Sequence, residues 1–485
     1  MKITHHHISK FTKLITLDTR SLGIFRIMLA LVILVDLFVR AQHLEFFYTN
    51  AGVVRMEPTF IWLNHLSVHT MGGDAEYIGF LFWIAAFFAV LLMLGFLTPA
   101  VLPICWFLLI SLHSRNSYVL NDGDTLIRLL MFMAIFLPLG ARFSLDAILF
   151  KDRMRKVEDN YYSVWTLVYV FQLIIIYAVS GWAKFSKIWH FGQGIYYSMM
   201  LHTYAKASAA YLLKFPAVMI LLNYYTLILE RFGWLLLLSY KHSDRFRVLA
   251  VVLFTSFHFG LFLFMELGIF PLVAIAAWIP MIPSRVWDRY FPRTIGLKNR
   301  ESENQTSGVG LLIFKRKKLP SYIIQLLGVV MIAINIYHNF DINDHPFIKI
   351  KPFDFLVQKL RIEQGWRIFT GPNTADGWYV IEAQLADGTT INLLKPDTHI
   401  HWEKPPVVSE EYETHHVRKY MRRIRNNIYQ QKQLMLYLSK NWNQSHTANR
   451  RVVKATFWYM EELIFPDLQF SDVEKIKKFE LKSIE

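Results

Sequence analysis

Cysteine is almost missing from this chain of 485 residues: Cys105 is the only one, and it lies inside an apolar block. One cysteine excludes an intrachain disulfide and any metal site built on paired thiolates, and it leaves the redox compartment unread. There is no phosphate-cradling P-loop, no dinucleotide fingerprint and no serine-hydrolase elbow, so those chemistries have no support. No half of the chain repeats the other, which removes the usual mark of a secondary transporter. The opening MKITHHHISKFTK has no apolar core followed by a small-residue cleavage site, so no cleaved signal peptide is expected. No metal centre is expected either: His5 to His7 stand in a tail, and His65 with His69, spaced for one helix face, lack a third ligand. Acidic residues are outnumbered, 37 against 52 basic ones, for a formal charge of +15. The basic residues cluster beside apolar blocks. They therefore read as topology signals and lipid-headgroup contacts, and no nucleic-acid partner is expected.

What the chain has in excess is apolar surface, 54% of its residues, with 39 Phe, 23 Tyr and 14 Trp. The excess comes in blocks long enough to cross a bilayer. Candidate spans cover 22–39, 78–96, 99–112, 125–141, 162–182, 247–265, 267–283 and 320–337. A further stretch, 206–240, holds two apolar halves interrupted by Glu230-Arg231, which reads as a bent or broken helix with an internal ion pair. The expected fold is an all-α multi-pass membrane bundle of eight or nine transmembrane helices with a small C-terminal α+β extramembrane domain. The expected units are a tail (1–17), a membrane domain (18–290), a basic linker (291–319), a last span (320–337) and the C-terminal domain (338–485). Arg26 and Asp36, inside the first span, are costly in lipid and should face other helices.

Lys and Arg counts orient the bundle. With the N-terminus inside, the basic loops 142–161, 241–247 and 284–319 fall inside, and the loops 40–77, 113–124 and 183–213 fall outside, together with the C-terminal domain. That domain reads as strands over 377–394 joined by a turn at Asp387-Gly388, helices over 408–440, and a further helix over 449–464. Trp366, Phe369, Trp378 and Trp402 are expected to form its core.

The stretch 177–199, YAVSGWAKFSKIWHFGQGIYYSM, concentrates the polar chemistry. An apolar helix loses its hydrophobicity at Gly181 and delivers Lys184 just past its end. An ammonium pressed against apolar surface is driven toward its neutral, basic form, which suits a catalytic base. The bland alternative is a lysine that snorkels to headgroups. His258, mid-helix among aromatics, is either a satisfied core histidine or a proton-handling group. Asn121, Asp122 and Asp124 are either solvated loop residues or a pocket wall. Trp182 and Trp189 are further pocket candidates, and Tyr177 and Trp189 also suit a membrane-interface belt.

Five stretches in order resemble one family. DTRSLGIFRIMLALVILVDL (18–37), SLHSRNSYVLNDGDTLIRLL (111–130), the Gly181-to-Lys184 G-x-x-K with Trp189 beyond it, SFHFGLFLFMELGIF (256–270), and Trp366, Phe369, Pro372, Asp376, Gly377 and Trp378 are similar to the horizontally transferred transmembrane (HTTM) domain in its bacterial form. That domain is shared with vitamin K-dependent gamma-carboxylases. The resemblance implies a lyase-like enzyme of the plasma (bacterial inner) membrane with Lys184 as base on a reduced vitamin K of menaquinol type and a secreted peptide glutamate as substrate; the alternative is a non-catalytic membrane module binding lipid, quinone or a peptide partner. No cofactor is evident from motifs alone. Where the carboxylases carry an Asn-Asn-His run, this chain has Asn121-Asp122-Gly123-Asp124, so another polar group must replace that histidine or the substrate differs. The tail is also far shorter than the carboxylases' luminal part, and their propeptide-binding surface has no counterpart.

Overall fold

In a computed structural model the protein is described over residues 10–56, 67–154, 156–291, 321–339, 355, 357–371, 373–396, 400–465 and 469–482. His5 to His7, His65, the linker from 292 to 320 and Pro372 lie outside these residues.

The membrane part is helical: α1 (Thr19–Ala41), α2 (Ala75–Leu94), α3 (Thr98–Arg115), α4 (Asp122–Ala134), α5 (Val164–Ala183), α6 (Pro216–Phe232), α7 (Ser243–Phe264), α8 (Phe270–Trp278) and α9 (Ser321–Asn339). Six helices among the described residues are long and apolar enough to cross a bilayer, or seven if the pair Phe270–Met281 and Ser284–Tyr290, bent by 85°, counts as one span. A count of eight or nine is not confirmed among the described residues. Helix α4 has 13 residues, and at about 1.5 Å per residue it falls well short of a hydrocarbon core about 30 Å thick. Helix α3 carries His113 and Arg115 in its last turn. The 206–240 stretch also differs from expectation. Helix α6 runs unbroken through Glu230-Arg231 and tightens to a 3-10 turn only at Gly233–Leu238.

Arg26 and Asp36 are buried inside the bundle, as their cost in lipid requires. Arg26 is held by backbone carbonyls, including Leu139 at 2.8 Å, at one end of the bundle. The same end carries Arg20–Asp288 and Arg142–Asp159. The other end carries the C-terminal domain. Ser409 Oγ donates to the Ala205 carbonyl (2.6 Å), Arg418 to the Thr203 carbonyl (2.9 Å), and Tyr197 Oη to the Phe465 carbonyl (2.8 Å). Loop 142–161 thus lies at the opposite end of the bundle from 113–124 and 183–213.

The C-terminal domain is a four-stranded antiparallel sheet backed by α10 (His415–Ile424) and α11 (Ile428–Ser445). The strands β1 (Ala375–Leu385), β2 (Thr390–Asn392), β3 (Val452–Leu463) and β4 (Glu474–Lys482) lie in the order β2-β1-β3-β4. The turn at Asp387-Gly388 is present, with Gly388 at φ 83. The expected helix over 449–464 is instead β3. Its run VVKATFWYM is β-branched and aromatic, which favours a pleated surface, and its register against β1 buries Phe457 and Ala455. Trp366 and Trp378 are buried as expected and Trp402 packs beside Trp458. Phe369 departs: it packs against the membrane helices.

Candidate functional site: a polar pair in an apolar cleft

Helix α5 is started by a capping box at Ser163 and Thr166 and stays apolar to Gly181. There it meets α6. A Cβ at Gly181 would lie 2.5 Å from the Glu230 carbonyl carbon and 2.6 Å from the Arg231 nitrogen, so only glycine permits this approach. The approach brings Lys184, the C-cap of α5, onto Glu230 of α6. Lys184 and Glu230 form a buried ion pair, at 2% and 8% side-chain exposure. The ammonium also donates to Ser180 Oγ (2.8 Å) and to the Ile368 carbonyl (3.0 Å) of the C-terminal segment, and it lies 5.4 Å from the Trp189 ring centre. Lys184 is therefore no headgroup anchor. The pairing anticipated within Glu230-Arg231 is also corrected. Arg231 turns away, donating to the Gly181 carbonyl (3.0 Å) and the Lys184 carbonyl (2.7 Å) beside Trp182 and Phe185.

The pair forms part of the wall of a narrow, partly open cleft with a cavity volume of about 50 Å³. Aromatic and aliphatic side chains make most of its lining, among them Trp189, Phe257, Leu261, Met265, Phe270 and Phe369. His258 lines the same cleft. Trp278 Nε1 donates to the Tyr177 hydroxyl (2.8 Å), and that hydroxyl is 2.8 Å from His258 Nε2. Tyr177, expected at the membrane interface, is thus buried between Trp278 and His258. Trp189, expected there too, is 1% exposed and donates to the Phe369 carbonyl (2.9 Å).

The structure thus gathers Lys184, His258 and Trp189 around one cleft. It does not bring the other candidates there. Trp182 is 45% exposed on the outer surface of the bundle. Asn121 caps α4, accepting from the Gly123 nitrogen (2.7 Å), while Asp124 closes the capping box. Asp122 is exposed beside them. Glu230, Ser180 and Tyr177 line the cleft although the sequence reading gave them no role in it. The signal for Glu230 was an acid in an apolar block, which membrane burial makes costly unless paired.

Asp124 belongs to a second buried assembly. Asp36, His113 and Asp124 bring one potential ligand atom each within 4.8 Å. Arg40 occupies this assembly, donating from Nε to Asp36 (2.7 Å) and from Nη2 to Asp124. Arg128 donates to His113 Nδ1 (3.0 Å). A guanidinium only donates, so the His113 proton sits on Nε2, facing Asp124 at 3.3 Å. A protonated ring nitrogen has no lone pair for a metal, and the guanidinium already supplies the positive charge. The assembly is an ion network. His416, from α10, enters it 3.8 Å from Asp36. Burial, with Arg40 close by, holds His416 well below the ordinary imidazole range, and burial pushes its neighbour His415 down to about 3.

Segment 361–369 ties bundle and tail. Arg361 donates to the His113 carbonyl (2.8 Å), Gln172 Nε2 to Gln364 Oε1 (2.7 Å), and the Trp366 nitrogen to Asn339 Oδ1 (3.1 Å). Arg361 and Phe369 both take left-handed backbone, at φ 54 and 52, which is uncommon for residues with a Cβ.

A helical membrane bundle roofed by its own C-terminal domain, with a buried lysine–glutamate pair in an apolar cleft, is the class of protein defined here. A family model for the HTTM domain matches residues 15–287, more than half of the chain, and the protein belongs to that family. No curated protein and no solved structure matches the chain.

Proposed function

We propose that the protein is a membrane enzyme in which Lys184 takes a proton from the hydroxyl of an apolar, quinol-type molecule held in the cleft. The buried Lys184–Glu230 pair carries the proposal. Ion pairs so placed add little to stability compared with apolar packing, so their presence in an apolar wall supports a chemical role. The fit to a quinol rests on the cleft itself: flat aromatic walls, the charged pair, and the buried His258 Nδ1, which has no partner among the described residues. Lys184 and Glu230 would face the ring oxygen that loses its proton, while Phe257, Phe270 and Phe369 would hold the ring and exclude water.

Proton handling follows from the pair. An ammonium cannot accept a proton, so Lys184 first passes one to the Glu230 carboxylate, leaving a neutral amine beside a neutral acid. The pair carries no net charge before or after, so the transfer separates no charge in the low-dielectric cleft. Ser180 and the Ile368 carbonyl keep the amine in position throughout. In the carboxylases that the chain resembles, a bound quinol and oxygen supply the stronger base that removes a glutamate γ-proton before carbon dioxide adds. A secreted peptide glutamate is the corresponding substrate class here. The same reading places the protein in the bacterial plasma membrane with its C-terminal domain outside.

The test is turnover by the protein in lipid nanodiscs: oxygen uptake with reduced menadione, and incorporation of labelled bicarbonate into a glutamate-rich peptide. Lys184→Arg keeps the charge but cannot act as a base, because its guanidinium stays protonated. Both Lys184→Arg and Lys184→Ala should abolish turnover. Full activity in the arginine variant overturns the base. A second reading is favoured by the bond from Lys184 to the Ile368 carbonyl: a non-catalytic module in which the lysine clamps the tail to the bundle. Under that reading, arginine restores the protein's cellular role and no quinol is consumed.

A further inference from the structure

Trp278 Nε1 can only donate, so the Tyr177 oxygen accepts from it and must direct its own proton elsewhere. The partner within reach is His258 Nε2, at 2.8 Å. That nitrogen is therefore the acceptor, and the ring's single proton in its neutral form sits on Nδ1. His258 is 2% exposed and lines the cleft, and Nδ1 has no partner among the described residues. An N–H buried without an acceptor costs about 1–3 kcal/mol. Two aromatic residues are thus spent on fixing the tautomer of a histidine whose remaining donor is unmet. The Lys184 ammonium, by contrast, already has Glu230, Ser180 and Ile368.

We infer that His258 Nδ1–H is the anchoring donor for a ring oxygen of a flat apolar quinol or quinone bound in the cleft. The inference rests on the quinol reading above and deepens it by separating two ends of the ligand: one oxygen anchored at His258, the other presented to the Lys184–Glu230 pair. Phe257 packs edge-on to the His258 ring (5.0 Å) and Phe270 does the same from another side (5.6 Å). The imidazole is therefore held in one orientation, and an acceptor must come to it.

The experiment is equilibrium binding to the full-length protein in nanodiscs, read by quenching of tryptophan fluorescence. The probes are menadione, which carries two ring carbonyls, and 2-methylnaphthalene, which carries none. Wild type should bind menadione about tenfold tighter than 2-methylnaphthalene. His258→Leu should lose about tenfold in menadione affinity and leave 2-methylnaphthalene unchanged. Tyr177→Phe keeps the ring but frees the tautomer and should fall between. Melting temperature and gel-filtration profile report folding. If His258→Leu does not fold, Tyr177→Phe decides, since it leaves the His258 ring and the Lys184–Glu230 pair in place and changes only the tautomer; menadione affinity unchanged in Tyr177→Phe then overturns the inference. Equal affinities for the probes, unchanged menadione affinity in His258→Leu, or a copurifying diacyl lipid that menadione does not displace each overturns the inference. Failure here is distinct from failure of the base reading, which is scored on turnover by Lys184→Arg.

Discussion

The Lys184 ammonium lies 3.0 Å from the Ile368 carbonyl, so the end of a membrane helix is bonded to the backbone of the extramembrane tail. The lysine is consequently held from three sides, by α5 through Ser180, by α6 through Glu230 and by the tail.

Breaking the pair should cost more than deleting it. Glu230→Ala leaves a buried ammonium without its counter-charge and should destabilise the protein by about 3–5 kcal/mol. The double variant Lys184→Met/Glu230→Leu should recover most of that in a denaturation experiment in detergent. A double variant no more stable than Glu230→Ala contradicts a coupled pair.

Gly181→Ala should be disproportionately harmful. The new methyl would meet the α6 backbone, which cannot rotate away as a side chain does. Separation of α5 from α6 should cost about 1–3 kcal/mol and abolish any turnover that depends on Lys184. Gly260→Ala on α7, where nothing among the described residues lies within 4 Å of the added carbon, should be neutral or stabilising by up to about 1 kcal/mol. Equal melting temperatures for the two variants would refute the close approach.

Acidification should loosen the tail. His416 and His415 have folded-state values below the ordinary histidine value of 6.5, His415 at about 3. The unfolded chain then binds more protons, so their contribution is full above 6.5 and is lost as pH falls below it, by at most about 1.4 kcal/mol per unit per histidine. Arg40, His43 and His113 from the bundle, and Arg418 and Lys419 on α10, all face the pair and add to the cost of charging it, while Asp36 opposes it. Melting temperatures measured from pH 8 to pH 5 should fall, and more steeply in wild type than in His415→Gln/His416→Gln.

Gly388→Ala tests the hairpin. The position has open space around it but φ 83, so the penalty is backbone strain alone, about 1–2 kcal/mol. An unchanged melting temperature would show that the turn relaxes.

The C-terminal domain should lie outside the membrane. Alkaline phosphatase fused after residue 485 should be active and the same enzyme inserted at 284–291 silent. The reverse pattern would invert the topology.

Much of this was legible in the chain, and the failures have physical causes. The apolar blocks, the Asp-Gly turn and the burial of Arg26 and Asp36 follow from local composition and from the cost of charge in lipid. Lys184 was legible because G-x-x-K ends an apolar run. Its partner was not: Glu230 sits 46 positions away in sequence, beside an arginine that offers a nearer pairing. Which of two adjacent charges turns inward is set by the Gly181 contact, a tertiary fact. Strand β3 was misread as a helix because aromatic and β-branched residues at irregular spacing fit either period. Asn121 and Asp124 do not line the cleft: helix capping and Arg40 claim their oxygens.

The bonds of Lys184 and Trp189 to the Ile368 and Phe369 carbonyls join stretches 184 and 180 residues apart. Neither stretch can be transplanted alone. A bundle grafted onto a relative's tail would lose the roof of its cleft and two acceptors buried with it. The smallest portable piece of this protein is therefore the whole of it, and changes in the 361–369 segment are tolerated only in company with changes in the helices beneath.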